Sequence, residues 1–203
     1  MELTKRKLIL DLCAGTGSWS KPYQEADGYD VWIVTLPHMD VRLFPSDTSR
    51  EPRLPKQFDS IESVMKKWDV HGVLAAPPCT VFSGSGAMWK RSDEDMIEGL
   101  SIVDACLRII HTTKPKWWAL ENPVGKLRKW IGPPTMSFQP CDYGDPYKKR
   151  TLLWGEFNTD LKKNSVEPII PSPLHWLPPS EDRAMLRSIT PPGFSRAFFE
   201  ANP

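Results

Sequence analysis

The chain has 203 residues, 40% of them hydrophobic and 25% charged, with a net charge of +1. That suits one domain with a full core and falls short of two. No run approaches the roughly 18 apolar residues of a membrane span, and no bulk basic charge announces a polyanionic partner, so any nucleic-acid contact must come from local patches.

The first residues, Met1 to Lys7, lack the apolar core and cleavage site of a secretory leader, which makes an intracellular setting the expectation. Four scattered cysteines and four histidines show no metal-ligand spacing. No metal is expected, and the cysteines read as free thiols. Lys7 to Leu12 reads as a strand running into the glycine-rich turn Cys13-Ala14-Gly15-Thr16-Gly17-Ser18. Trp19 to Ala26 follows as a short helix, with Pro22 tolerated only in its first turn. The turn lacks the full GxGxxG of dinucleotide sites. With Asp11, Gly15 and Gly17 it suits the amino-acid end and sugar of S-adenosylmethionine, or it is a plain tight turn.

Tyr29 to Leu36 alternates and is β-branched, the pattern of a second strand. Nucleotide folds place an acid at the end of this strand to hold ribose hydroxyls; here Leu36 and Pro37 stand there, and the next acid is Asp40. Residues 38–42 read as a short third strand that would bring Asp40 to the cofactor's adenine or ribose, while a turn-forming aspartate reads equally well. Residues 45–57 form a polar, proline-punctuated loop, and Asp59 to Trp68 has helical spacing.

The chain is organised around Ala75-Ala76-Pro77-Pro78-Cys79-Thr80-Val81-Phe82-Ser83-Gly84. A buried strand, Val70 to Ala76, stops at two prolines that cannot donate to a ladder. A cysteine follows at the strand's carboxyl end, where open α/β sheets place their ligands. A buried structural cysteine is the plainer alternative. Gly84 to Asp93 reads as a glycine-rich loop carrying Trp89, Lys90 and Arg91. A helix capped by Asp93 then runs to Thr112, with Cys106 in its core. Lys116 to Pro123 is a further strand, ending in Glu121-Asn122-Pro123 at the position that matches Cys79.

Residues 125–131 are short and basic, with Lys126, Arg128 and Lys129. Residues 138–150 form a loop ending in Lys148-Lys149-Arg150, and Thr151 to Gly155 reads as a strand. Residues 156–187 are irregular and proline-rich, and Ser195 to Ala201 forms a short helix with Phe198 and Phe199. These readings give an α/β fold in a single domain, residues 1–203.

In this order the blocks resemble the cytosine-C5 methyltransferases of DNA, and the whole set also looks like small phage-encoded relatives of these enzymes. Asp11 to Gly17 looks like the family's cofactor turn, Pro77 to Ser83 its nucleophile loop, and Glu121-Asn122-Pro123 its acid strand. Asp142-Tyr143-Gly144-Asp145-Pro146 with Lys149 and Arg150 is similar to its basic loop. Thr190-Pro191-Pro192-Gly193-Phe194 resembles the carboxy-terminal segment that returns to the cofactor. The resemblance implies a Rossmann-like S-adenosylmethionine-dependent methyltransferase fold and methyl transfer to C5 of cytosine through a covalent adduct at C6. It makes Cys79 the nucleophile and Glu121 the group that grips the base, with Asn122 holding the loop. Arg150, with Lys149 beside it, is expected to contact the base O2 or a phosphate. Asp11, Cys13, Ala14, Gly15, Gly17, Asp40 and Pro77 are expected to line the S-adenosylmethionine site.

The chain departs from the family at Thr80 and Tyr147, each in place of glutamine, at Pro123 in place of valine, and near Thr151, where a second arginine is usual. The family's separate target-recognition domain is replaced by residues 156–187 alone. DNA with a flipped cytosine is the expected substrate. Specificity is then short, relaxed, supplied by a second subunit (a homodimer or a recognition partner), or directed to RNA or a cytidine nucleotide. A non-catalytic binding relative is the reading from a different class.

Overall fold

A computed structural model describes residues 6–44, 69–84, 91–170, 180 and 183–203. The helix expected over 59–68, the loop over 45–57 and the tip of the loop after Gly84 lie outside the described residues. Six strands form one sheet: β1 Lys7–Leu12, β2 Tyr29–Val34, β3 Val70–Ala75, β4 Trp117–Pro123, β5 Met136–Phe138 and β6 Thr151–Glu156, in the order β2-β1-β3-β4-β6-β5. β1 to β4 are parallel, and β6 pairs antiparallel with both β4 and β5. All six residues of β3 are buried, as expected of an apolar strand covered on both faces.

Among the described residues five helices accompany the sheet: α1 Lys21–Glu25, α2 Asp93–Thr113, α3 Arg128–Ile131, α4 Arg183–Ser188 and α5 Pro192–Ala201. Pro22 sits in the first turn of α1, where its missing N–H costs nothing. Ser92, not Asp93, caps α2. Its hydroxyl accepts from the Asp95 N–H at 3.1 Å, and its own N–H donates to the Asp95 carboxylate at 3.2 Å. This reciprocal pair moves the helix start one residue forward. Val103, Cys106 and Ile109 of α2 pack on one sheet face with Leu10, Leu12, Leu120 and Trp154. On the other face Trp19, Tyr23, Phe194 and Phe198 cover Ile9, Leu74 and Leu153. Alternation along the strands separates these two cores.

Residues 38–42 form no strand; of the two readings the turn holds, with Asp40 capping a 3-10 turn, Val41–Leu43, by accepting the Arg42 N–H at 2.9 Å. β5 and α4 are too short to leave a periodic signal and stand where the sequence pattern predicts only loop. No described helix is long and apolar enough to cross a membrane.

Candidate active site

The chain leaves β1 in one direction along the sheet for β2, and β3 lies on the other side of β1. That change of direction opens a crevice beyond the carboxyl ends of the strands, the usual ligand position in open α/β sheets. Leu12 pairs with Ala75 and Ala75 with Leu120. The glycine turn, the cysteine loop and Glu121 therefore emerge side by side at one edge.

The turn is shaped by backbone geometry. Gly15 and Gly17 have φ of +55° and +68°, the left-handed region that favours glycine. A side chain at Gly17 would also meet Ile33 at 2.9 Å. The Gly15 N–H donates to the Thr35 hydroxyl at 3.2 Å and the Gly17 N–H to the Ala14 carbonyl at 2.9 Å. Cys13 gives its N–H to Val34, and its thiol lies 3.9 Å from that of Cys106, toward the α2 core rather than the crevice. Asp11 is buried, and among the described residues neither carboxylate oxygen has a hydrogen-bond partner. Burial pushes its pKa up to about 7; Ser20 stands near enough to moderate the rise without reaching hydrogen-bonding geometry. An unpartnered buried carboxylate beside a glycine turn fits the cationic amino-acid end of S-adenosylmethionine. Asp40 is committed elsewhere: Arg42 donates to it from Nε at 3.0 Å and reaches Glu98 of α2 at 2.6 Å.

The cysteine loop is tied to its neighbours on both sides. The Ala76 N–H bonds Leu12, and the side-chain amide of Asn122 donates to the Pro77 carbonyl at 3.0 Å. The Cys79 carbonyl accepts from the N–H groups of Phe82 and Ser83, which turns the chain back. Gly84 and Lys126 then ladder with Val124 and Phe82. Cys79 itself is half-buried. Burial and the Glu121 carboxylate raise its thiol pKa, while Lys149 and Arg187 pull it back. Burial also raises Glu121, with Lys149 opposing. One ammonium group thus acts on both the thiol and the carboxyl.

Of the two adjacent cations of the basic loop, Lys149 lies on the side of Cys79 and Glu121, and Arg150 does not. Glu121 pairs with Leu153, and side chains two apart on a strand share a face, so Lys149, Thr151 and Leu153 lie on the Glu121 side. Arg150 points to the opposite face, where it donates to the Ser137 hydroxyl at 3.4 Å. Counting back by twos from the Thr151 strand would have found this, once its pairing with the Glu121 strand was known. Arg187 carried no such signal, because its approach depends on how α4 folds back. The Lys149 ammonium donates to the Arg187 carbonyl at 2.7 Å.

The carboxy-terminal segment closes the arrangement. The Thr190 N–H donates to the Ser18 hydroxyl at 2.9 Å, and the Gly193 N–H to Asp145 at 3.0 Å. A side chain at Gly193 would stand 1.8 Å from the Tyr143 carbonyl, so only glycine permits this approach. Phe194 stacks on Phe138 at 3.6 Å. The basic loop and the glycine turn are therefore joined through residues 187–195.

No curated protein matches the chain. Many solved structures align with it, among them the following two. One is a prophage-encoded E. coli protein assigned as a DNA modification methyltransferase, at 19% identity and TM-score 0.46, covering 81% of this chain and 51% of its own. The other is the Entamoeba histolytica methyltransferase EhMeth, at 13% identity and TM-score 0.44, covering 87% of this chain and 61% of its own. The chain thus spans about half to three-fifths of the length of these proteins. The sequence model of the C-5 cytosine-specific DNA methylases matches residues 8–130, more than half of the chain, from β1 through the glycine turn, the cysteine loop and the Glu121 strand into α3. With those three blocks inside the matched span, the chain belongs to the family of C-5 cytosine-specific DNA methylases.

Proposed function

We propose that this protein transfers a methyl group to C5 of cytosine in DNA through a transient bond from Cys79 to C6. The observation that carries the reading is the register and the Asn122–Pro77 hydrogen bond that set the Cys79 loop beside the end of the Glu121 strand, with Lys149 acting on both groups. This arrangement lies at the sheet edge that also bears the unpartnered Asp11.

Cytosine C5 is a weak nucleophile. When the Cys79 thiolate adds to C6, an S–C bond forms, the C5–C6 double bond opens, and the electron pair becomes available at C5. Negative charge that would build on N3 is met by a proton from the Glu121 carboxyl, whose pKa burial raises. Lys149 favours the thiolate before addition. S-adenosylmethionine, when bound, supplies the methyl group that C5 accepts. Water then takes the C5 proton, the C5–C6 double bond re-forms as the thiolate leaves, and N3 returns its proton to Glu121, which restores the ring.

Asp11 suits the cofactor's amino-acid end, with Gly15 and Gly17 leaving room for close backbone approach. Ala14 and Pro77 flank this position through their backbone. Since the target atom is hidden in the duplex stack, the reaction requires a flipped base.

The test supplies S-adenosylmethionine with a labelled methyl group to duplex DNA, single-stranded DNA, RNA and cytidine nucleotides in parallel. Label in 5-methylcytosine of DNA, lost in Cys79→Ala, is the expected result. Label confined to RNA or free nucleotide would replace the substrate and keep the chemistry.

A further inference from the structure

Arg150 faces a cleft that the catalytic reading leaves unused. The cleft has a volume of about 300 Å³ and is lined by Val124, Arg128, Pro134, Ser137, Arg150 and Leu152, among others. This lies at the lower end of the range for ligand sites, roughly 300–1,000 Å³. Its walls combine apolar surface with two guanidinium groups. Among the described residues neither arginine pairs with a carboxylate, and Ser137 is the hydrogen-bond partner of Arg150. Two like charges directed into one concavity repel each other unless an anion lies between them. The planar fork of arginine matches the oxygens of a phosphate.

The position of the cleft says which phosphate. Val124 directly follows the Glu121-Asn122-Pro123 strand end, and its N–H faces the Arg150 carbonyl at 3.4 Å. Arg150 is also the immediate chain neighbour of Lys149, so cleft and thiol lie on opposite faces of the same strand edge, one residue step apart. A polynucleotide strand that places one base over Cys79 has its neighbouring nucleotides within reach of this edge. Lys126 and Lys129, both exposed, flank Arg128 and keep the surroundings cationic.

We infer that this cleft holds the nucleotide adjoining the target cytosine on the same DNA strand, its phosphate between Arg128 and Arg150 and its sugar or base against Val124, Pro134 and Leu152. The inference rests on the proposed function for the identity of the strand. It gives the chain a contact to the flanking nucleotide from its own catalytic domain.

The test measures affinity for a short DNA duplex over a range of salt concentrations. It compares the wild type, the double variant Arg128→Ala/Arg150→Ala, and a control of equal charge change, Lys162→Ala/Lys163→Ala. Losing one phosphate contact should lower the slope of log affinity against log salt by about 0.9 in the cleft variant and leave the control unchanged. A neutral methylphosphonate beside the target cytosine should weaken wild-type binding about tenfold and leave the cleft variant indifferent. Unchanged melting temperatures and cofactor binding establish that both variants fold. A cleft variant with the wild-type slope, or a control that loses as much, overturns the inference. Failure of the catalytic reading is seen separately, as DNA binding by wild type with no adduct on Cys79; absence of DNA binding at low salt would overturn both.

Discussion

Asn122 donates its side-chain amide to the Pro77 carbonyl at 3.0 Å, joining the end of β4 to the loop that carries Cys79 across 45 residues of sequence. The bond is buried, so removing its donor leaves an unsatisfied carbonyl, at a cost of about 1–3 kcal/mol. Asn122→Ala should lower the melting temperature by about 2–4 °C for each kcal/mol lost. It should also slow attack by Cys79 on cytosine. Asn122→Asp should be worse than alanine, because it sets a carboxylate against a carbonyl oxygen. Thermal melting and the rate of adduct formation check both.

Lys149 and Arg150 make opposite predictions although they are adjacent. Lys149 lowers the Cys79 thiol pKa, so Lys149→Ala should shift the pH profile of Cys79 alkylation to higher pH. Arg150→Ala should leave that profile in place, because its side chain lies on the far face with Ser137. Glu121→Gln should move the profile down, by removing the carboxylate that disfavours the thiolate, while abolishing methyl transfer. Iodoacetamide labelling of Cys79 followed by mass spectrometry across pH 6 to 10 reads all three.

What the sequence made legible follows from how much each signal depends on distant contacts. The buried run Val70 to Ala75 and the helix Asp93–Thr113 are written in local hydrophobic pattern, and both form. So does the order of glycine turn, cysteine loop and acid strand, since each follows a strand directly. Asp40 left a strand and a turn equally open; its short carboxylate reached the Arg42 backbone two residues on, and the turn formed. The choice between Lys149 and Arg150 could not be read locally, because the facing of residues next to a strand depends on its register with β4. Arg187 was invisible for the same reason on a larger scale.

Asp11 gives a pH dependence with a definite sign. Its carboxyl pKa rises from 3.8 to about 7 in the folded protein, so protonation favours the fold. That contribution is fully present below about pH 4 and is lost as pH rises through about 7, a difference of about 4 kcal/mol. Asp11→Asn should remove the decline and make the cofactor-free protein more stable than wild type at pH 8. Cofactor binding should behave oppositely. If the Asp11 carboxylate meets the ammonium group of S-adenosylmethionine, wild-type affinity should climb by up to about tenfold per pH unit toward pH 7. The Asp11→Asn protein should bind the cofactor weakly and without that slope. Calorimetric titrations at several pH values, with melting curves on the cofactor-free proteins, separate the two effects.

Gly125 has no room for a side chain: a Cβ there would lie 1.9 Å from the Phe82 carbonyl oxygen. The ladder that folds the cysteine loop back on the Glu121 strand passes through this contact, so Gly125→Ala must push the loop away. A loss of about 1–3 kcal/mol is expected. Activity should fall more than stability, because the displaced residues include those that set the position of Cys79. Comparing melting temperature with methyl-transfer rate checks the disproportion.

The covalent role of Cys79 is tested most directly by incubating the protein with S-adenosylmethionine and a DNA duplex carrying 5-fluorocytosine, then measuring mass under denaturing conditions. Fluorine at C5 cannot leave as a proton does, so the enzyme should be trapped with the methylated DNA strand bonded to Cys79, and Cys79→Ala should form no such species. Methyl transfer to ordinary cytosine without a trapped adduct, or an adduct on Cys13, Cys106 or Cys141 instead, would contradict it.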